Sequence, residues 1–290
     1  MSSVQRVIKY FAIALAIFLA VGILTSVVSV IYGVVKGISG DTAISSRTER
    51  RTSNNSTIEY SGAFTGVKSL NIDHSIGQLK IVEGDEFKVE AEKVSNHFKA
   101  RVTGNGTLTI TEENGINFLG FHFNGFRSPN AKVTVTIPTG FIADEAKLDT
   151  AAGSVSVEGL QTDYLYISSG AGNIKGDTLT AREAKIEGGV GSVDLDQVNL
   201  TDAAINCGIG NIKINGILIG KTKIDCGVGE VELNLKGNVN DYGFNIDSGV
   251  GTVRLNGEKI NDSYKANIDA ANIIEIDGGL GTVNINLKNQ

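Results

Sequence analysis

A ten-residue phrase recurs through this chain of 290 residues, and its spacing restricts the fold more than any other feature. It reads LDTAAGSVSV from Leu148, ISSGAGNIKG from Ile167, IEGGVGSVDL from Ile186, INCGIGNIKI from Ile205 and IDCGVGEVEL from Ile224. IDSGVGTVRL from Ile246 and IDGGLGTVNI from Ile276 continue it, and a weaker copy, IDHSIGQLKI, starts at Ile72. The first five are spaced by 19 residues. The last two follow after 22 and 30, so loops of 3 and 11 extra residues are expected there.

Each position has a physical reason. The first residue is Ile or Leu and the eighth is Val, Ile or Leu, the mark of short alternating strands. In the 19-residue copies another apolar residue follows: Leu160, Leu179, Val198, Ile217. The sixth is Gly in every copy: Gly77, Gly153, Gly172, Gly191, Gly210, Gly229, Gly251 and Gly281. That regularity predicts positive φ, or backbone packed too closely for a Cβ. A 19-residue unit of short strands cannot bury its own apolar face, but stacked units can. The expected fold is therefore all-β, a single-strand-per-face parallel β-solenoid (β-helix) with coils of about 19 residues. The 36 Gly do not imply collagen, because they lack the three-residue period and there are only 2 Pro.

The outward positions agree with in-register stacking. The ninth residue reads Ser156, Lys175, Asp194, Lys213, Glu232, Arg254, alternating in sign from Lys175 onward. The second reads Asp149, Ser168, Glu187, Asn206, Asp225, and each acid follows a Lys two positions earlier: Lys147, Lys185, Lys223. A period of 38 residues thus overlies the 19. Opposite charges across adjacent strands attract, so register control on a solvated face is the expected role.

Upstream, Tyr10 to Val35 is an uncharged run of 26 residues, long enough to span a bilayer. Arg6 and Lys9 precede it, and Tyr10 and Tyr32 stand where interfacial aromatics belong. A cleaved signal peptide usually has a shorter apolar core ending at small residues, so an uncleaved transmembrane helix at 10–35 is expected. The lipid bilayer is then the first partner. Lys36, Arg47, Arg50 and Arg51 offset the charge bias of Arg6 and Lys9. A start-of-chain anchor with a large following domain still favours a cell membrane, single-pass arrangement, its C-terminal domain outside the cytoplasm. The expected layout is a tail at 1–9, the helix at 10–35 and a flexible linker at 36–57. Irregular first coils and a cap at 58–140 precede regular repeats at 141–290.

Residues 1–57 carry a net +4 and the remainder a net −10. An acidic body offers nucleic acid no electrostatic attraction, so that partner class is excluded.

The phrase I-[DE]-x-G-[VI]-G-x-[VI]-x-[LI], repeated after an N-terminal apolar run, resembles the bacterial "putative adhesin" β-strand-repeat family of unknown function. The resemblance covers 58–290. It implies an envelope protein, with membrane-anchored members in Gram-positive bacteria and some encoded beside envelope-stress systems. It brings no catalytic residues, cofactor or defined ligand.

The residues themselves point the same way. Calcium solenoids place Asp where Val193 and Val283 stand here, so no metal is expected at this phrase. His74, His97 and His122 have no metal-ligand spacing, and there is no nucleophile elbow or P-loop. Asp149, Glu187 and Asp225 are the nearest thing to a catalytic carboxylate set. On alternate coils they lie about 10 Å apart, the upper end of what a glycosidase pair uses. The chain is read as not an enzyme, with polysaccharide chemistry the third reading. Cys207 and Cys226 share one place in adjacent coils, either as buried thiols or as a bridge.

The segment NGINFLGFHFNGFRSPN, Asn114–Asn130, holds four of the eleven Phe. Phe118, Leu119, Phe121, Phe123, Phe126 and Arg127 are the candidate partner or membrane contacts, since exposed apolar clusters mark such sites. The other reading has Phe118, Phe121 and Phe123 plug the solenoid end. Tyr242, Phe244 and Tyr264 lie in or beside the late insertions, where solenoids often bind. The expected function is a membrane-anchored, extracytoplasmic binding or scaffolding module, engaging wall polymer. The alternative is a regulatory partner of a membrane-protein complex in envelope stress.

Overall fold

The computed structural model describes residues 57–112 and 130–288, and the backbone alone at 115–118 and 121–124. The expected helix at 10–35 lies outside the described residues. Among those described, no helix is long and apolar enough to cross a membrane.

The fold is all-β and solenoid-like. Its N-terminal strands are β1 (Thr57–Phe64), β2 (Ser69–Gly84), β3 (Phe87–Ser95), β4 (Phe98–Val102), β5 (Thr107–Glu112), β6 (Gly115–Phe118), β7 (Phe121–Asn124) and β8 (Lys132–Pro138). The regular coils follow as β9 (Ile142–Glu158), β10 (Gln161–Ala171), β11 (Ile174–Asp177), β12 (Thr180–Val190), β13 (Val193–Thr201), β14 (Ala203–Ile209), β15 (Ile212–Ile219) and β16 (Lys221–Lys236).

Equivalent residues stack in parallel register. Leu148, Ile167, Ile186, Ile205 and Ile224 form one column, and Val155, Ile174, Val193, Ile212 and Val231 a second. Both columns are buried, as the alternation requires. A third wall uses Leu160, Leu179 and Val198. There the expectation for Ile217 fails. Gly216 pairs with Val198 across a register shift, so Leu218 is buried instead and Ile217 is half-exposed.

The C-terminal end departs from sequential stacking. It comprises β17 (Tyr242–Asp247), β18 (Val250–Leu255), β19 (Glu258–Ile260), β20 (Ser263–Ala266) and β21 (Asn272–Lys288). β21 pairs with β16 along its whole length, Ile224 to Ile276 and Val231 to Val283. β17 and β18 pair with the far side of β21, Ile246 to Ile276 and Val253 to Val283. The last copy of the phrase is therefore inserted between the fifth and the sixth. β20 and β19 then cover β17 and β18 antiparallel.

The N-terminal end uses the same device. β2 lies between β9 on one side and β5 and β8 on the other, so its copy of the phrase stacks on Leu148. β4 covers β5, β3 covers β8 and β1 covers β3, all antiparallel. At both ends the chain overshoots, turns back and threads its next coil inside. The outermost parallel coil then meets an antiparallel strand instead of offering its edge, which limits end-to-end aggregation.

The sixth-position glycines satisfy both expected reasons. Gly191 has φ 144°, and a Cβ there would overlap the carbonyl oxygen of Gly172 in the coil before. Gly251 is not among the positive-φ residues, but a Cβ on it would overlap Gly281.

Candidate functional site

The phrase builds one corner of the stack, between its first and eighth positions, and the aromatic segment is inserted at that corner. In β2, five positions separate Asp73 from Gln78. In the outermost coil, 21 separate their partners Thr111 and Lys132. Within that insertion β6 and β7 pair antiparallel, Ile116 with Phe123, Asn117 with His122 and Phe118 with Phe121. They form a two-stranded sheet separate from the main stack. Leu119, Phe126, Arg127 and the side chains of the hairpin Phe residues lie outside the described residues.

The same corner carries an apolar line that the sequence analysis passed over. The fifth position of each phrase stacks as Ile76, Ala152, Ala171, Val190, Ile209, Val228, Leu280 and Val250. These residues point outward. Val228 is 43%, Leu280 39% and Val250 66% exposed, and the others are half-buried. From Gly170 onward the fourth position is also Gly, and a Cβ on Gly189 would overlap the carbonyl of Gly170. Two glycine columns thus flank the line and leave it proud of the backbone. In sequence the line shows only as the residue before the sixth-position Gly, with nothing to mark it as outward-facing.

Polar ladders run along the walls. Lys213 Nζ lies 3.6 Å from Glu232 Oε1, within the expected alternation. The alternation stops there. Asn284 stacks on Glu232, so Arg254 is one coil further away. In the second-position ladder Lys185 pairs with Glu187 at 2.8 Å and Lys223 with Asp225 at 3.1 Å. Tyr166 stacks between Lys147 and Lys185, 5.6 Å and 5.4 Å from its ring centroid, and donates to Glu187 at 2.8 Å. The Lys185 ammonium, then the Tyr166 hydroxyl, hold Glu187 below the ordinary carboxylate value.

The 38-residue period also has a backbone cause. The Asn173 and Asn211 side chains accept from the amides of Ser192 and Glu230 in the next coil, at 3.1 and 3.0 Å. A further amide ladder runs from Asn286 to Asn234 at 3.0 Å, to Asn215 at 2.8 Å and to Asp196 at 3.1 Å.

Acids do adjoin at the ends, where threading brings Asp73 beside Asp149 and Asp277 between Asp225 and Asp247. Partial burial first, and the Asp149 charge second, raise the Asp73 pKa above 3.8. The folded chain therefore binds this proton more tightly than the unfolded chain. Asp73 favours stability below pH 3.8, and that favour is lost as pH rises through its folded value. Asp73→Asn should raise stability at pH 7 by about 0.2–1 kcal/mol, the scale of a cross-strand pair. The gain should vanish below pH 3.8; thermal melts at both pH values check it.

The third position points inward. Its column runs His74, Thr150, Ser169, Gly188, Cys207, Cys226 and Gly278, with Ser248 beside Gly278. His74 is fully buried, its Nδ1 3.5 Å from Glu112 Oε2. Cys207 and Cys226 are buried free thiols. Val193 and Val283 belong to the core. Tyr242 and Phe244 are also buried, at 2% and 1%, on β17, which pairs with β21 along its length and with β20 from Phe244 onward. They are core residues and not the binding-face aromatics expected of an insertion.

One family model, described as Toastrack DUF4097, matches residues 67–274. No curated protein matches. Among solved structures, a "putative adhesin" from Bacteroides fragilis is 15% identical with TM-score 0.44, over 80% of this chain and 97% of that one. A "putative cell adhesion protein" from Clostridium sporogenes is 18% identical with TM-score 0.32, over 80% and 100%. A "putative lipid binding protein" from Parabacteroides distasonis is 12% identical with TM-score 0.45, over 82% and 98%.

Proposed function

This chain belongs to the Toastrack DUF4097 family, and from that premise we propose that it is a membrane-anchored binding module whose contact surface is the apolar corner. The segment 10–35 is its anchor, and the β-domain stands outside the cytoplasm at the cell envelope. The observation that carries the reading is the unbroken line from Ile76 to Val250, one apolar residue per coil. Such a line suits an extended partner lying along the stack better than a compact one. Wall polymer is the leading occupant, because the polar groups beside the line repeat every second coil, roughly 10 Å. A linear glycan built from disaccharides presents its own hydroxyls at a similar interval. The aromatic hairpin extends the corner at its N-terminal end.

The test uses full-length protein and purified insoluble wall polymer. Wild type should co-sediment, and Val228→Ser/Leu280→Ser/Val250→Ser should lose most of the binding while keeping its melt, since all three side chains face outward. External protease should digest residues 58–290 in cells stripped of wall. Equal binding by the variant, or full protection of the domain, overturns the reading. The regulatory alternative rests on the hairpin. Retention of a membrane protein that is lost in Phe121→Ser/Phe123→Ser would favour it.

A further inference from the structure

We propose that Cys207 and Cys226 form a linear two-sulfur site for a soft monovalent metal ion, Cu(I) or Ag(I). The proposal goes beyond the binding role.

The geometry starts from register. Cys207 pairs with Cys226 across adjacent strands. Cys207 Sγ donates to Gly191 O at 3.5 Å, and Cys226 Sγ donates to Gly210 O at 3.6 Å. Both acceptors stand 16 residues earlier in a 19-residue repeat, so the two side chains share one rotamer. Their sulfurs therefore recur at about the strand spacing, ~4.8 Å. With metal–sulfur bonds near the zinc–thiolate length of about 2.3 Å, a linear bridge would span roughly 4.6 Å, close to that spacing. A disulfide is a poorer fit. It needs sulfurs about 2.05 Å apart and Cβ atoms near 3.8 Å, so the strands would have to close by roughly 1 Å.

The surroundings leave room. The neighbours of the pair in the column are Gly188 and Gly278, which put no side chain against the sulfurs. A void of about 10 Å³ lies beside Cys226, lined also by Ser248 and Gly278. The Ser248 hydroxyl is buried without a hydrogen-bond partner. Thiols select soft cations, and a two-sulfur set suits Cu(I) rather than tetrahedral zinc. Among the described residues no group of three His, Cys, Asp or Glu side chains converges to complete a zinc site.

Both thiols lose their protons to solvent and hold the ion as a pair of thiolates, the form in which cysteine ligates metals.

The test titrates reduced full-length protein anaerobically with Cu(I), using bicinchoninate as the competing chelator. Wild type should take up one Cu(I) per chain with release of two protons, and X-ray absorption should show two sulfurs at a single distance. Cys207→Ser and Cys226→Ser should each abolish the uptake. Serine already occupies this column at Ser169 and Ser248, and a retained thermal melt confirms that the variants fold. Uptake unchanged in the double variant overturns the proposal, as does no uptake by the reduced wild type. Quantitative disulfide formation in place of metal binding also overturns it.

Discussion

Removing residues 272–288 should unravel the C-terminal end of the stack, not shorten it by one coil. β21 holds the backbone partners of β16 on one side and of β17 and β18 on the other. Without it, β17 and β18 lose their only parallel neighbour among the described residues, and their antiparallel partners β20 and β19 are left with them. Ile224, Val231, Ile246 and Val253 would be exposed together, although each is buried in the intact chain. Each such side chain is worth about 1.5–3 kcal/mol of burial, so residues 242–266 cannot stay folded. Hydrogen exchange should show 242–266 unprotected, with β9 to β15 retained and β16 frayed. Retained protection of 242–266 would mean that the copies stack in chain order.

Gly191→Val should be among the most damaging single substitutions. Positive φ alone penalises a β-branched residue by about 1–3 kcal/mol. The Gly172 carbonyl leaves no room for a Cβ, so the two coils must also separate and give up hydrogen bonds. The combined loss is expected to be on the order of 3 kcal/mol or more, near the limit for a single residue. Urea unfolding of the variant beside wild type measures it. Gly257→Val is the contrasting control, because a Cβ there meets nothing although φ is 84°. Its loss should reflect backbone strain alone.

Those two results bear on how the domain ends. Hydrogen bonding between coils is a backbone matter, and every copy of the phrase presents the same backbone. IDCGVGEVEL can stack on IDSGVGTVRL or on IDGGLGTVNI with the same pairing. Nothing in the phrase ranks the two choices. The order is set by the connections, and one of them was legible. Asn256-Gly257 joins β18 to β19 with φ of 51° and 84°, the two-residue hairpin turn that Asn-Gly favours. Read as a hairpin, it forces the chain to reverse after Leu255, which leaves the next coil free to return inside.

The candidate site divides in the same way. The aromatic insertion stood out because four Phe in nine residues is an anomaly of composition. The apolar line did not, because Val190 or Leu280 inside a glycine frame looks like any other strand residue. Only the bend at the sixth position turns the fifth outward, and only stacking joins eight such residues into one line.

The sequence by itself determined that this chain forms parallel coils of 19 residues, in register, with Ile and Val inside. A short strand unit repeated every 19 residues cannot bury its apolar face alone, and stacking equivalent units buries it. Tertiary structure alone decided which coil lies against which at either end, and hence which aspartates adjoin and that Tyr242 and Phe244 are core. The physical reason is that backbone pairing does not distinguish identical copies, whereas loop closure and the need to cover an open edge do.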